Sequence, residues 1–122
     1  MVLCDGVRES EDEDSIFDLT GVRTRIEAPS FPVTYPRLSV FVQMSGHSGA
    51  AYVHIEVEQP GTDNLIHRTK PKQVVFEDPT GVVPVLFRLR NCVFPVEGLY
   101  YVQVLHEGKL IGERPLMLRQ EE

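Results

Sequence analysis

The feature that most constrains this chain is its hydrophobic rhythm. Apolar and polar residues alternate in short runs, and no window of about eleven residues or more carries a helical period. The cleanest run sets Ala51, Val53, Ile55 and Val57 against Tyr52, His54, Glu56 and Glu58. Leu38, Val40, Val42 and Met44 alternate with Ser39, Phe41 and Gln43, and Val83, Val85, Phe87 and Leu89 with Pro84, Leu86, Arg88 and Arg90. A period of two belongs to a strand with one buried face. Such runs recur every 10–15 residues, roughly, between turn-forming clusters such as Pro60-Gly61-Thr62-Asp63-Asn64 and Asp78-Pro79-Thr80-Gly81. Nine prolines and nine glycines in 122 residues fit many turns better than long helices. The expected fold is all-β, a single antiparallel sandwich.

The organisation follows from the same reading. Residues 1–28 are expected to form an N-terminal hairpin and an edge strand, with the acidic loop Ser10 to Ser15 between the hairpin strands. Residues 29–36 carry Pro29, Pro32 and Pro36, which break regular pairing, and are expected to be an extended connection. Residues 37–119 supply the core strands. The chain is long enough for one domain with a real core, and no second domain is expected within 1–122.

The stretch Asn91 to Val104, NCVFPVEGLYYVQV, adds a corner. It reads as the end of one buried strand, a turn at Pro95-Val96-Glu97-Gly98, and the start of another buried strand. Tyr100 stands two residues past Gly98. This resembles the corner of immunoglobulin-like sandwiches, where a tyrosine near the start of the sixth strand bonds its hydroxyl to upstream backbone. The chain has no tryptophan, so the resemblance is to the broad immunoglobulin-like fold and not to antibody domains. Taken together, LCDGVRE, APSFP, RLSVFVQ and LFRLRNCVFPVEGLYYVQVLHEGKLIGERPL also resemble an uncharacterised bacterial family of small single-domain proteins, of planctomycete type, with no assigned function. That resemblance implies a cytoplasmic β-sandwich and brings no catalytic residues.

The residues themselves bring little chemistry. His54 and Glu56 share the outward face of one strand, and an H-x-E pair supplies two candidate ligands for zinc or another divalent ion. The adjoining strand would offer Tyr101 and Gln103, neither a preferred zinc ligand, so a polar sheet surface is the better expectation. His47, His67 and His106 have no recognisable spacing and read as surface histidines. The acidic loop lacks the glycine-centred pattern of a calcium loop and reads as a solvated tip. Cys4 and Cys92 are too few for a disulfide framework and form no CxxC pair; they read as buried thiols. No nucleophile elbow or phosphate-binding glycine pattern is present. No catalytic residue, metal or cofactor is therefore expected.

A net charge of −6 argues against nucleic acid as a partner. No stretch approaches the ~20 apolar residues of a membrane span, and no signal-like segment opens the chain. The expected compartment is the cytoplasm. Arg88 and Arg90 alternate outward on one strand and Arg23 and Arg25 on another; the plain expectation is cross-strand pairing with acids. Phe41, Leu86, Leu99, Tyr101 and Leu105 lie off the core parity. They form the candidate surface for a protein partner or for self-association. The expected function is a non-enzymatic interaction or assembly module, with a small ligand- or metal-binding domain at His54 and Glu56 as the alternative.

Overall fold

The computed structural model describes residues 1–12, 16–62 and 65–122. Glu13, Asp14 and Ser15 of the expected acidic loop, and Asp63 and Asn64 of the expected turn, lie outside the described residues. The described chain is strand, turn and loop, without a helix. The strands are β1 (Val2–Glu9), β2 (Phe17–Val22), β3 (Arg25–Ala28), β4 (Val33–Met44) and β5 (Gly49–Glu58). They continue as β6 (Leu65–Arg68), β7 (Lys72–Phe76), β8 (Val83–Phe94), β9 (Gly98–His106) and β10 (Lys109–Gln120).

Two sheets pack face to face. One has the order β2-β1-β4-β8, and the other β3-β10-β9-β5-β6, with β7 also paired to β5. The alternation seen in the sequence decides the inner faces. Leu38, Val40, Phe87 and Leu89 of the first sheet share one core with Val53, Ile55, Val57, Val102 and Val104 of the second. This apolar burial, at ~25 cal/mol per Å² removed from water, is the main force holding the sheets together.

Two details depart from the sequence reading. The pairing of β3 with β10 is parallel, with Ile26 beside Leu118, so the sandwich is not wholly antiparallel. The chain leaves β2 in the first sheet, lends β3 to the edge of the second, and returns to the first as β4. The proline-rich connection is also shorter than 29–36, because β4 already begins at Val33 and pairs there with Phe94. Its side chains are part of the architecture, since Val33 and Tyr35 pack against the core.

The expected burial of Cys92 has its own cause in β8. Strict alternation from Val85 would turn Cys92 outward. Instead Asn91 takes a left-handed conformation with φ 54°, which asparagine tolerates better than most residues. It falls between the paired positions Arg37–Arg90 and Tyr35–Cys92, as does Pro36 on β4. Both strands change parity together, so Cys92 and Phe94 face the core, where neither is exposed to solvent.

The corner follows at once. Tyr100 has no solvent exposure, and its ring meets Phe94 edge-on at a centroid distance of 5.0 Å. Its hydroxyl donates to the Val96 carbonyl at 2.6 Å. Gly98 takes φ 141°, and a Cβ there would meet open space; the backbone conformation, not crowding, calls for glycine. The Asp78-Pro79-Thr80-Gly81 turn closes through Asp78 Oδ1, which accepts from the Thr80 N–H at 2.9 Å and the Thr80 hydroxyl at 2.8 Å.

Tyr100→Phe keeps the ring contact and strands the Val96 carbonyl. It should lower stability by about 1–2 kcal/mol in equilibrium denaturation while leaving the strand signature of the circular dichroism spectrum intact. A neutral substitution would show that the corner does not depend on this bond.

Candidate functional site

The H-x-E pair on β5 is closed on itself. His54 Nε2 and Glu56 Oε2 are 2.7 Å apart, and Arg68 reaches Glu56 Oε1 at 3.5 Å. The facing residues on β9 are Leu105 opposite His54 and Gln103 opposite Glu56. Among the described residues no group of three His, Cys, Asp or Glu side chains is arranged to hold a metal ion. His47 and His106, far apart in sequence, stack at a centroid distance of 4.5 Å, and His47 also meets Phe76 at 5.2 Å. The sequence carries no spacing that announces this pair, because a loop and a strand end create it.

Neither thiol is activated. Cys4 and Cys92 are free and buried. Burial pushes the Cys92 thiol up to about 11, so at neutral pH it stays protonated and a poor nucleophile. Burial also raises Cys4, the largest of the influences on it.

The outer faces are not equally open. Phe41, expected at the surface, is only 7% exposed. Its ring lies 4.9 Å from that of Phe17. Phe41 pairs with Val2, whereas Phe17 pairs with Glu9, seven positions further along β1. In a flat sheet those rings would be roughly 20 Å apart. The β1–β2 hairpin therefore bends back over the outer face of the first sheet and covers Phe41. Leu86, opposite Phe41 in the β4–β8 register, is half-buried.

On the second sheet, Leu99, Tyr101 and Leu105 share the outer face of β9, with Tyr101 and Leu105 half-buried and Leu99 exposed. Leu99 lies opposite Met117 and Tyr101 opposite Pro115 on β10. Leu99, Pro115 and Met117 line a groove of about 440 Å³ together with Met1, Val2 and Val22. Val22 is 62% exposed.

The bend of the hairpin has its own fastening. Arg23 grips the Asp5 carboxylate through Nε at 3.1 and 3.2 Å and Nη2 at 2.7 Å, and the Tyr35 hydroxyl donates to Asp5 Oδ1. The Arg23 hydrogen bonds hold the Asp5 carboxyl below its ordinary value. Burial first, and then the bond to Asp5, raise the Tyr35 phenol. Gly21 makes room for the group: it takes φ 64°, and a Cβ there would fall 2.3 Å from Asp5 Oδ2. The sequence reading missed this trio, whose members are spread over two strands, β1 and β4, and the β2–β3 connection.

Two of the arginines pair with acids, as expected. Arg23 belongs to Asp5, and Arg25 pairs with Glu27 at 2.8 Å. Arg88 and Arg90 do not meet them; Arg90 faces Arg37 across β4 and β8.

Against known proteins, residues 1–119 match a family of unknown function (DUF6941). The chain belongs to this family. No curated protein matches it, and no solved structure does. DUF6941 membership agrees with the expected kinship to a family without assigned activity, and it carries no residue roles. No helix among the described residues of this DUF6941 chain is long and apolar enough to cross a membrane.

The Asp5 fastening sets a pH dependence. A depressed folded value means that its stabilisation is complete above the ordinary aspartate value of 3.8 and is lost as pH falls through the lower folded value. Because Asp5 is 34% and Arg23 41% exposed, screening keeps the effect modest. Asp5→Asn should cost about 0.5–1 kcal/mol near neutral pH. Urea denaturation of both proteins should show that difference shrinking as pH falls below the ordinary aspartate value of 3.8. Gly21→Ala should cost more, about 1–3 kcal/mol. Gly6→Ala, whose Cβ meets nothing within 4 Å, should be close to neutral in the same assay.

Proposed function

We propose that this chain is a non-catalytic protein-interaction or assembly module of a bacterial cytoplasm. Its contact surface is the apolar strip of β9 and β10. The observation carrying this reading is the continuity of Leu99, Met117, Tyr101 and Pro115 in register, running into the groove with Met1, Val2 and Val22. Contiguous apolar residues left in water on neighbouring strands favour a protein partner or a second copy. Phe41 is withdrawn from that surface, and Leu86 lies on the other sheet. Tyr101 and Leu105 remain on it.

The immunoglobulin-like reading of the frame draws support from the strand order and from the Tyr100 corner. The cytoplasmic reading draws support from two buried thiols that remain unpaired. Metal binding at His54 and Glu56 is the weaker reading, since a metal would have to displace both the His54 and the Arg68 contacts of Glu56.

Edge pairing is a poorer route to association than the strip. Along β8 the edge carries Pro84 and charged side chains, and Lys72 Nζ caps the Leu86 carbonyl at 2.6 Å.

Leu99→Glu should leave the denaturation midpoint nearly unchanged, within about 0.5 kcal/mol for an exposed site. It should abolish either the self-association measured by sedimentation of the pure chain or the retention of a specific partner purified from the native cell. A wild-type chain that sediments as a monomer and retains no partner sensitive to Leu99→Glu would overturn the proposal.

A further inference from the structure

A second feature, separate from the apolar strip, lies where β1 parts from β4. Their pairing ends at Cys4 and Ser39, and the hairpin then bends away. Between the two strands a cleft of about 140 Å³ opens, lined by Asp5, Gly6 and Val7 on one side and by Arg37, Ser39, Arg88 and Arg90 on the other, with Leu38 and Leu89 also touching it.

The register makes these four residues a compact array. Arg37 is directly opposite Arg90, and Ser39 directly opposite Arg88. Within each strand the two members are two residues apart, so all four project to the same, outer face. Like charges set directly opposite each other in an antiparallel pair repel. No carboxylate answers them: among the described residues Arg37, Arg88 and Arg90 form no ion pair. Asp5 lines the cleft, but its carboxylate is gripped by Arg23. Ser39 is only 4% exposed as a residue and lines the same cleft. Three exposed guanidinium groups gathered at one cleft without an ion-pair partner favour an anion there, through charge-assisted hydrogen bonds. This occurs in a chain whose net charge is −6, so it does not reflect a generally basic surface.

We infer that this cleft binds a phosphoryl group. The charge count selects it. One guanidinium fork saturates a carboxylate and would leave two cations uncompensated, whereas a phosphoryl group brings a charge of about −1.5 to −2 and three acceptor oxygens. Guanidinium forks match phosphate oxygens in pairs, and the Ser39 hydroxyl adds a neutral donor. The volume selects size. It is the room of roughly four or five water molecules, enough for one tetrahedral oxyanion and too little to enclose a nucleotide. The ligand is therefore free phosphate or the phosphate end of a monoester whose remainder leaves the cleft. No bond is made or broken.

Isothermal titration calorimetry of the full chain with inorganic phosphate, phenyl phosphate and acetate tests this at constant ionic strength. Saturable one-to-one binding of phosphate is expected. Affinity should fall at least about tenfold in Arg37→Gln and in Arg90→Gln. Arg88→Lys, which keeps the charge but loses the fork, should also weaken binding. Tighter binding of phenyl phosphate than of phosphate assigns the ester as the source, and equal binding assigns the free anion. Without phosphate, Arg90→Gln should hold or raise the thermal midpoint, because it removes a like-charge pair. Absence of saturable phosphate binding, equal affinity for acetate, or unchanged affinity in the variants overturns the assignment.

Discussion

A buried phenol hydroxyl must find a partner, and the structure is arranged so that Tyr100 finds one. Its hydroxyl reaches the Val96 carbonyl only because the chain turns at Pro95-Val96-Glu97 and re-enters the sandwich at Gly98. That turn joins β8 of one sheet to β9 of the other. The bond therefore fixes how the sheets are connected at this end. The parity change at Pro36 and Asn91 serves the same junction. It brings Phe94 inward to meet the Tyr100 ring and places Cys92 in the core.

The outer faces follow a different logic, set by the N-terminal hairpin. Once β1 leaves β4, the hairpin bends over the first sheet and Phe17 seals Phe41. The Asp5–Arg23–Tyr35 group holds the bend, and Gly21 gives the carboxylate its room. The same bend leaves the cleft in which Arg37, Arg88 and Arg90 stand without an ion pair, because Asp5 is held by Arg23. One structural event thus withdraws an apolar surface from solvent and creates a polar one. The second sheet has no such cover over Leu99 and Met117, and its apolar strip stays open.

DUF6941 membership specifies no reaction. The thiols of the chain are buried, with Cys92 held in the protonated form. The H-x-E pair on β5 is spent on an internal contact. Among the described residues, an apolar strip and a cluster of guanidinium groups lie on opposite sheets.

The sequence by itself determined the strands, the turns and the corner. Each depends on local information: the period-two alternation of Val53, Ile55 and Val57, the Asp78 turn, and glycine at position 98 just before a tyrosine. Only the tertiary structure decided which outward residues meet. Phe41 reads as exposed from its parity, yet a hairpin from residues 2–22 covers it. Arg37 and Arg90 are more than fifty residues apart in the chain and become neighbours only through the β4–β8 register. His47 meets His106, and β3 lies parallel to β10, for the same reason. Alternation tells which side of a strand a residue takes. It carries no information about the strand on the other side of the ladder, or about what folds over the sheet from elsewhere in the chain.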